Sequence, residues 1–172
     1  MTGVINGTPL AEFVQGHIHA RTQFTRVYCV DLLPPGQVPE NDIECKQIEK
    51  NFLDFVDSNN FIKGVLAEHG LVHSFGDNIR EAFKRWKITD EIDYSPVTVP
   101  NTIFVFGLHI ELCVVDHVEE LKRQFPKTQI MILSDLCFPK HDDWETFIFN
   151  YCLRTKHADY IRTAELVIHN ED

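Results

Sequence analysis

The chain has 172 residues, 44% of them hydrophobic and 13 of them Phe, which is enough for one domain with a real core and too few to expect two. A formal net charge of −10 excludes nucleic acid and anionic membrane surfaces as natural partners, because either would repel it. No apolar run reaches membrane length, and five cysteines without any Cys-x-x-Cys fit reduced thiols better than a disulfide framework.

Residues 1–25 carry the weakest pattern. Met1 to Gly7 lacks the charged and apolar regions of a signal peptide, so a cytoplasmic protein is expected. Gly7-Thr8-Pro9 reads as a turn and Leu10 to Phe13 as a short helical piece, followed by His17-Ile18-His19. An isolated His-x-His pair is ordinarily solvated rather than metal-bound. Arg26 to Leu33 reads as the first core strand, closed by Pro34-Pro35-Gly36. Asp31 stands near its carboxyl end, where open α/β sheets bind ligands, although an Asp that caps the turn is the plainer reading.

Glu44 to Val56 reads as a helix with Cys45, Ile48, Phe52, Phe55 and Val56 on one face. Phe61-Ile62-Lys63-Gly64 reads as a short strand with Lys63 near its end, and Glu68, His69 and His73 fall in the loop after it. Ile79, Ala82, Phe83 and Trp86 make the next amphipathic helix, and Tyr94 to Pro100 leads into the central strand.

Thr102 to Phe106 has strand character and ends at Gly107. Val114, Val118, Leu121 and Phe125 then recur at i, i+4, i+7 and i+11, one face of a helix opening near Cys113. A thiol at a helix N-terminus sits among unpaired N–H groups and the positive end of the helix dipole, which stabilise a thiolate and can hold an oxyanion. The plainer reading of Cys113 is a small buried apolar residue. Thr128 to Asp135 is another buried strand with an Asp at its end, followed by the bulky loop Leu136-Cys137-Phe138-Pro139. Asp142 to Arg154 reads as a helix burying Trp144, Phe147, Ile148 and Tyr151, and Ala158 to Val167 as a closing strand with a Thr-x-Glu turn. This alternation predicts a single α/β domain over residues 1–172, with 1–25 unassigned. Its doubly wound, three-layer, mainly parallel sheet should have four to six strands.

Gly107-Leu108-x-x-x-x-Cys113-Val114 after an apolar strand resembles the nucleophile segment of the isochorismatase-like cysteine hydrolases, and of nicotinamidases in particular. Phe61-Ile62-Lys63-Gly64 is similar to the strand that delivers the nicotinamidase lysine. Ser74-Phe75-Gly76-Asp77-Asn78 is similar to a Ser-x-Phe-x-Asp-Asn run at about the same distance, with Ser74 one place closer to the Phe. The resemblance runs from Lys63 to Val167. Before it, Asp31 and the Pro/Gly loop match the family's first strand end, while the Gln and Phe that follow the Asp there are missing.

The resemblance implies Cys113 as nucleophile, Lys63 as the cation that lowers its thiol pKa, and Asp31 as acceptor of the thiol proton. The oxyanion hole would consist of the N–H groups of His109 and Cys113, behind a cis peptide at Leu108-His109. The implied reaction is hydrolysis of a small amide, nicotinamide to nicotinate and ammonia in NAD metabolism, through a cysteine thioester. The family's zinc-ligand strand, Asp-x-His-x-x-x-His, has no counterpart in the 31 residues between Asp31 and Lys63. That leaves His69 and His73 as the candidate ligands for Zn2+ and no confident metal site. A homo-oligomer is expected. Two other readings stay open: a catalytically inactive or shortened relative acting as a binding or regulatory subunit, and a Rossmann-like nucleotide binder. The last is disfavoured because no Gly-x-Gly-x-x-Gly follows a strand.

Overall fold

A computed structural model describes residues 11–14, 17–21, 25–30, 43–58, 65–67, 102–107 and 109–169. Within them, Thr25–Val30 (β3), Val65–Ala67 (β4), Thr102–Gly107 (β5), Gln129–Leu133 (β6) and Asp159–Ile161 (β7) form one sheet in the order β4-β3-β5-β6-β7, every pair parallel. Ala11–Val14 (β1), His17–Arg21 (β2) and Leu166–His169 (β8) form a second sheet, β1 antiparallel to β2 and β2 parallel to β8.

The central strands are built for burial on both faces. β5 reads Thr-Ile-Phe-Val-Phe-Gly and β6 reads Gln-Ile-Met-Ile-Leu, and all their residues are buried. Near-continuous apolar strands of this kind belong to parallel sheets covered on both sides, so the sheet is the middle of three layers. Its cover comes from three helices, Ile43–Ser58 (α1), Val115–Gln124 (α2) and Trp144–Thr155 (α3). Ile48, Phe52, Phe55 and Val56 of α1 are buried, and the Phe52 ring lies 5.7 Å from that of Phe106 on β5. Val118 and Leu121 bury the inner face of α2, and Ile148, Tyr151 and Cys152 that of α3. This is the predicted doubly wound α/β fold, with five strands in the sheet among the described residues.

Several local expectations need correction. Residues 11–14 form a strand instead of a short helix, because their backbone pairs with His17–Ala20. Phe147 is 47% exposed, while Cys152, five positions on, fills the buried site. The strand expected over Phe61 to Gly64 lies outside the described residues; β4 is described just after it, over Val65–Ala67. The predicted helix around Ile79–Trp86 lies outside the described residues.

Chain order fixes where a ligand can sit. After β3 the chain adds β4 on one side, then crosses to add β5, β6 and β7 on the other. The reversal falls at the carboxyl ends of β3 and β5, where Val30 is in register with Gly107 and where doubly wound sheets take ligands in a crevice.

Candidate active site

β5 delivers the chain to that crevice through Gly107, whose φ of 137° is left-handed backbone that a Cβ would disfavour. The Gly107 carbonyl accepts the Phe138 N–H at 3.1 Å. His109 is extended, and the helix begins as a π-helical turn over Ile110–Val114 before tightening into α2. The His109 carbonyl closes this turn by accepting the N–H groups of Leu112 at 3.1 Å and Val114 at 3.2 Å. Such turns recur at functional sites because they re-aim the side chains they carry. Here Ile110 and Val114 are buried as anchors, and Cys113 between them is half-buried.

The far side of the turn is held by the loop after β6. The Ile110 N–H donates to the Phe138 carbonyl at 3.1 Å, and the His109 ring meets the Phe138 ring edge-on with centroids 6.0 Å apart. His109 Nδ1 is buried without a hydrogen-bond partner. Glu111 is buried, and its carboxylate accepts the Lys140 N–H at 2.9 Å and the His141 N–H at 2.7 Å. It also lies 3.1 Å from His141 Nδ1. Sequence reasoning missed Glu111. The available signal was a carboxylate inside an apolar run, Leu-His-Ile-Glu-Leu-Cys-Val, where only a paired charge can be buried.

The other described thiols have no such setting. Cys137 is buried and donates to the Leu133 carbonyl at 3.3 Å, and burial pushes its thiol far above the usual range. Burial likewise pushes the Cys152 thiol up to about 12. Asp135, at the end of β6, is engaged by the Thr163 N–H at 2.9 Å and the Thr163 hydroxyl at 2.5 Å, so it pins the turn Thr163–Glu165.

Of the predicted site residues, His109 and Cys113 lie on one turn at the switch point. Asp31, Lys63 and Leu108, and the candidate zinc ligands His69 and His73, lie outside the described residues. Among the described residues, no group of three or more His, Cys, Asp or Glu side chains is arranged to hold a metal ion.

No family model matches the sequence, and no curated protein does. Solved structures do match the fold. N-carbamoylsarcosine amidase from Thermoplasma acidophilum superposes with a TM-score of 0.51 at 14% identity, over 82% of this chain and 97% of that one. An isochorismatase family protein from Burkholderia thailandensis gives 0.51 at 13% identity, over 83% and 93%. PnC1 from L. infantum in complex with nicotinate gives 0.52 at 12% identity, over 86% and 97%. The chain therefore has the isochorismatase-like fold.

Proposed function

We propose that this chain, built on the isochorismatase-like fold, is a cysteine hydrolase that cleaves the C–N bond of a small amide, with nicotinamide as the first substrate to test. The observation that carries the reading is the setting of Cys113. It is half-buried, on a wide helical turn, at the carboxyl end of the central strand and at the switch point of the sheet. The two other cysteines whose side chains are described are buried with raised thiol pKa values.

In this reading the thiol proton passes to Asp31, and the Cys113 thiolate attacks the amide carbonyl carbon to form a C–S bond. Charge develops on the carbonyl oxygen, and the N–H groups of His109 and Cys113 at the head of the helix are the donors assigned to it. The C–N bond then breaks as the leaving nitrogen takes the proton from Asp31, releasing ammonia. Water adds to the thioester, the C–S bond breaks, and the carboxylate product leaves with Cys113 restored. Lys63 is assigned to hold the thiolate: a unit charge at about 4 Å is worth roughly 4 kcal/mol at an effective dielectric near 20. The neighbours that share the fold include one amidase and one protein solved with nicotinate, and both support an amide substrate.

Ammonia release from nicotinamide and a panel of small amides tests the reading, with wild type, Cys113→Ala, Lys63→Ala and Asp31→Asn compared with and without added zinc. Release by the wild type and its loss in all three variants is expected. Equal rates in all four proteins would show that these residues do not form an active site. No release from any amide would favour the non-enzymatic relative.

A further inference from the structure

The turn that carries Cys113 is fastened to a second segment 29 and 30 positions further on, and one side chain makes most of the fastening. The Glu111 side chain is only 5% exposed. Its Oε1 accepts the His141 N–H at 2.7 Å and the Lys140 N–H at 2.9 Å, its Oε2 lies 3.1 Å from the same Lys140 nitrogen, and His141 Nδ1 stands 3.1 Å from Oε1. Two backbone bonds run beside it, Ile110 N–H to the Phe138 carbonyl and Phe138 N–H to the Gly107 carbonyl, each 3.1 Å.

These contacts do more than close a loop. A π-helical turn is rare and occurs mostly as a single turn inside an α-helix, so the tighter α form is the ordinary alternative, and adopting it would rotate the residues the turn carries. Glu111 is the second residue of this turn, two positions before Cys113, and its carboxylate reaches backbone donors of the post-β6 loop. Cost of burial argues the same way, because a carboxylate is taken out of water only where several donors meet it. Resting on the cysteine-hydrolase reading above, we propose that Glu111 is a positioning residue. By bridging the turn Ile110–Val114 to the backbone of Lys140 and His141, it holds Cys113 and the N–H groups beside it in the geometry that the nucleophile requires.

A displacement of about 1 Å at a reacting group can cost on the order of 100-fold in rate without changing what binds. Glu111→Ala should therefore lower kcat by about 10- to 100-fold with KM within about 3-fold of wild type. Glu111→Gln keeps an acceptor oxygen for both backbone N–H groups, and should recover most of that loss. Two readouts do not need turnover. Hydrogen exchange should quicken at residues 110–114 and 137–141 in Glu111→Ala and stay unchanged on β6 and α3. Iodoacetamide labelling of Cys113 at neutral pH should slow by about 5-fold or more, as a loosened turn no longer presents the thiol in a fixed position.

Should Glu111→Ala fail to fold, Glu111→Asp takes its place. It keeps the charge but falls short of the loop, and slower Cys113 labelling with a folded circular dichroism spectrum is expected. A folded Ala or Asp variant with wild-type exchange, labelling and kcat would overturn the proposal. So would a Gln variant as impaired as Ala. Wild-type protein that turns over no amide would count against the hydrolase reading alone, since exchange and labelling would still decide whether Glu111 sets the turn.

Discussion

A thiol that attacks a substrate must reach it, and must ionise. Cys137 and Cys152 fail on both counts: they are buried, and burial pushes their thiols up, that of Cys152 to about 12. Cys113 is half-buried. Brief iodoacetamide treatment at pH 7, read by peptide mapping, should label Cys113 well ahead of Cys137 and Cys152; preferential labelling of either buried thiol would remove the case for Cys113. Gly107 matters for a different reason. Its φ of 137° would force an L-residue into strained backbone, at a cost of about 1–3 kcal/mol. Gly107→Ala should lower Tm by several degrees and disturb the His109–Cys113 turn, seen as altered Cys113 labelling. An unchanged melt would mean that the turn tolerates a Cβ.

Helix α2 and the turn before it are tied to distant segments through their own carboxylates. At its head Glu111 reaches the loop at Lys140 and His141, and further along Glu119 accepts the Tyr151 hydroxyl of α3 and lies 2.8 Å from His157 Nδ1. Partial burial pushes the Glu119 carboxyl up, but Tyr151 and His157 together outweigh it, and the net pKa is lowered. A group whose folded pKa is depressed adds stability above its unfolded value and loses it as pH falls through the folded one. The Tm of wild type should thus exceed that of Glu119→Gln at pH 7, and the two should converge as pH falls through the lowered pKa of the folded carboxyl. A difference that persists in acid would assign the effect to packing.

Much of this level was legible in the sequence. The continuous apolar run ending at Gly107 located β5, and the recurrence near 3.6 residues after it located the helix, because a strand covered on both faces is apolar throughout while a helix buries one face. The π-helical turn was not legible, since its apolar spacing reads like that of an ordinary helix start. Nor was β1, whose Ala-Glu-Phe-Val has no strand signal of its own and is strand by virtue of pairing with β2, which in turn pairs with β8 about 150 positions along the chain. Glu111 escaped for the same reason: its partners are far away in sequence, and spacing within a helix cannot reveal them.

At the scale of the molecule, the order β4-β3-β5-β6-β7 puts the switch point at the carboxyl ends of β3 and β5, whose last residues Val30 and Gly107 are in register. β5 brings His109 and Cys113 there. A net charge of −10 disfavours anionic macromolecules as partners. The central claim is that Cys113 becomes acylated. Acid quench during turnover of nicotinamide or the best amide of the panel, followed by peptide mapping, measures this directly. An added mass equal to the amide less ammonia, on the peptide that holds Cys113 and absent from Cys113→Ala, is the predicted result. Turnover by Cys113→Ala at the wild-type rate, with no adduct on any wild-type cysteine, would contradict it.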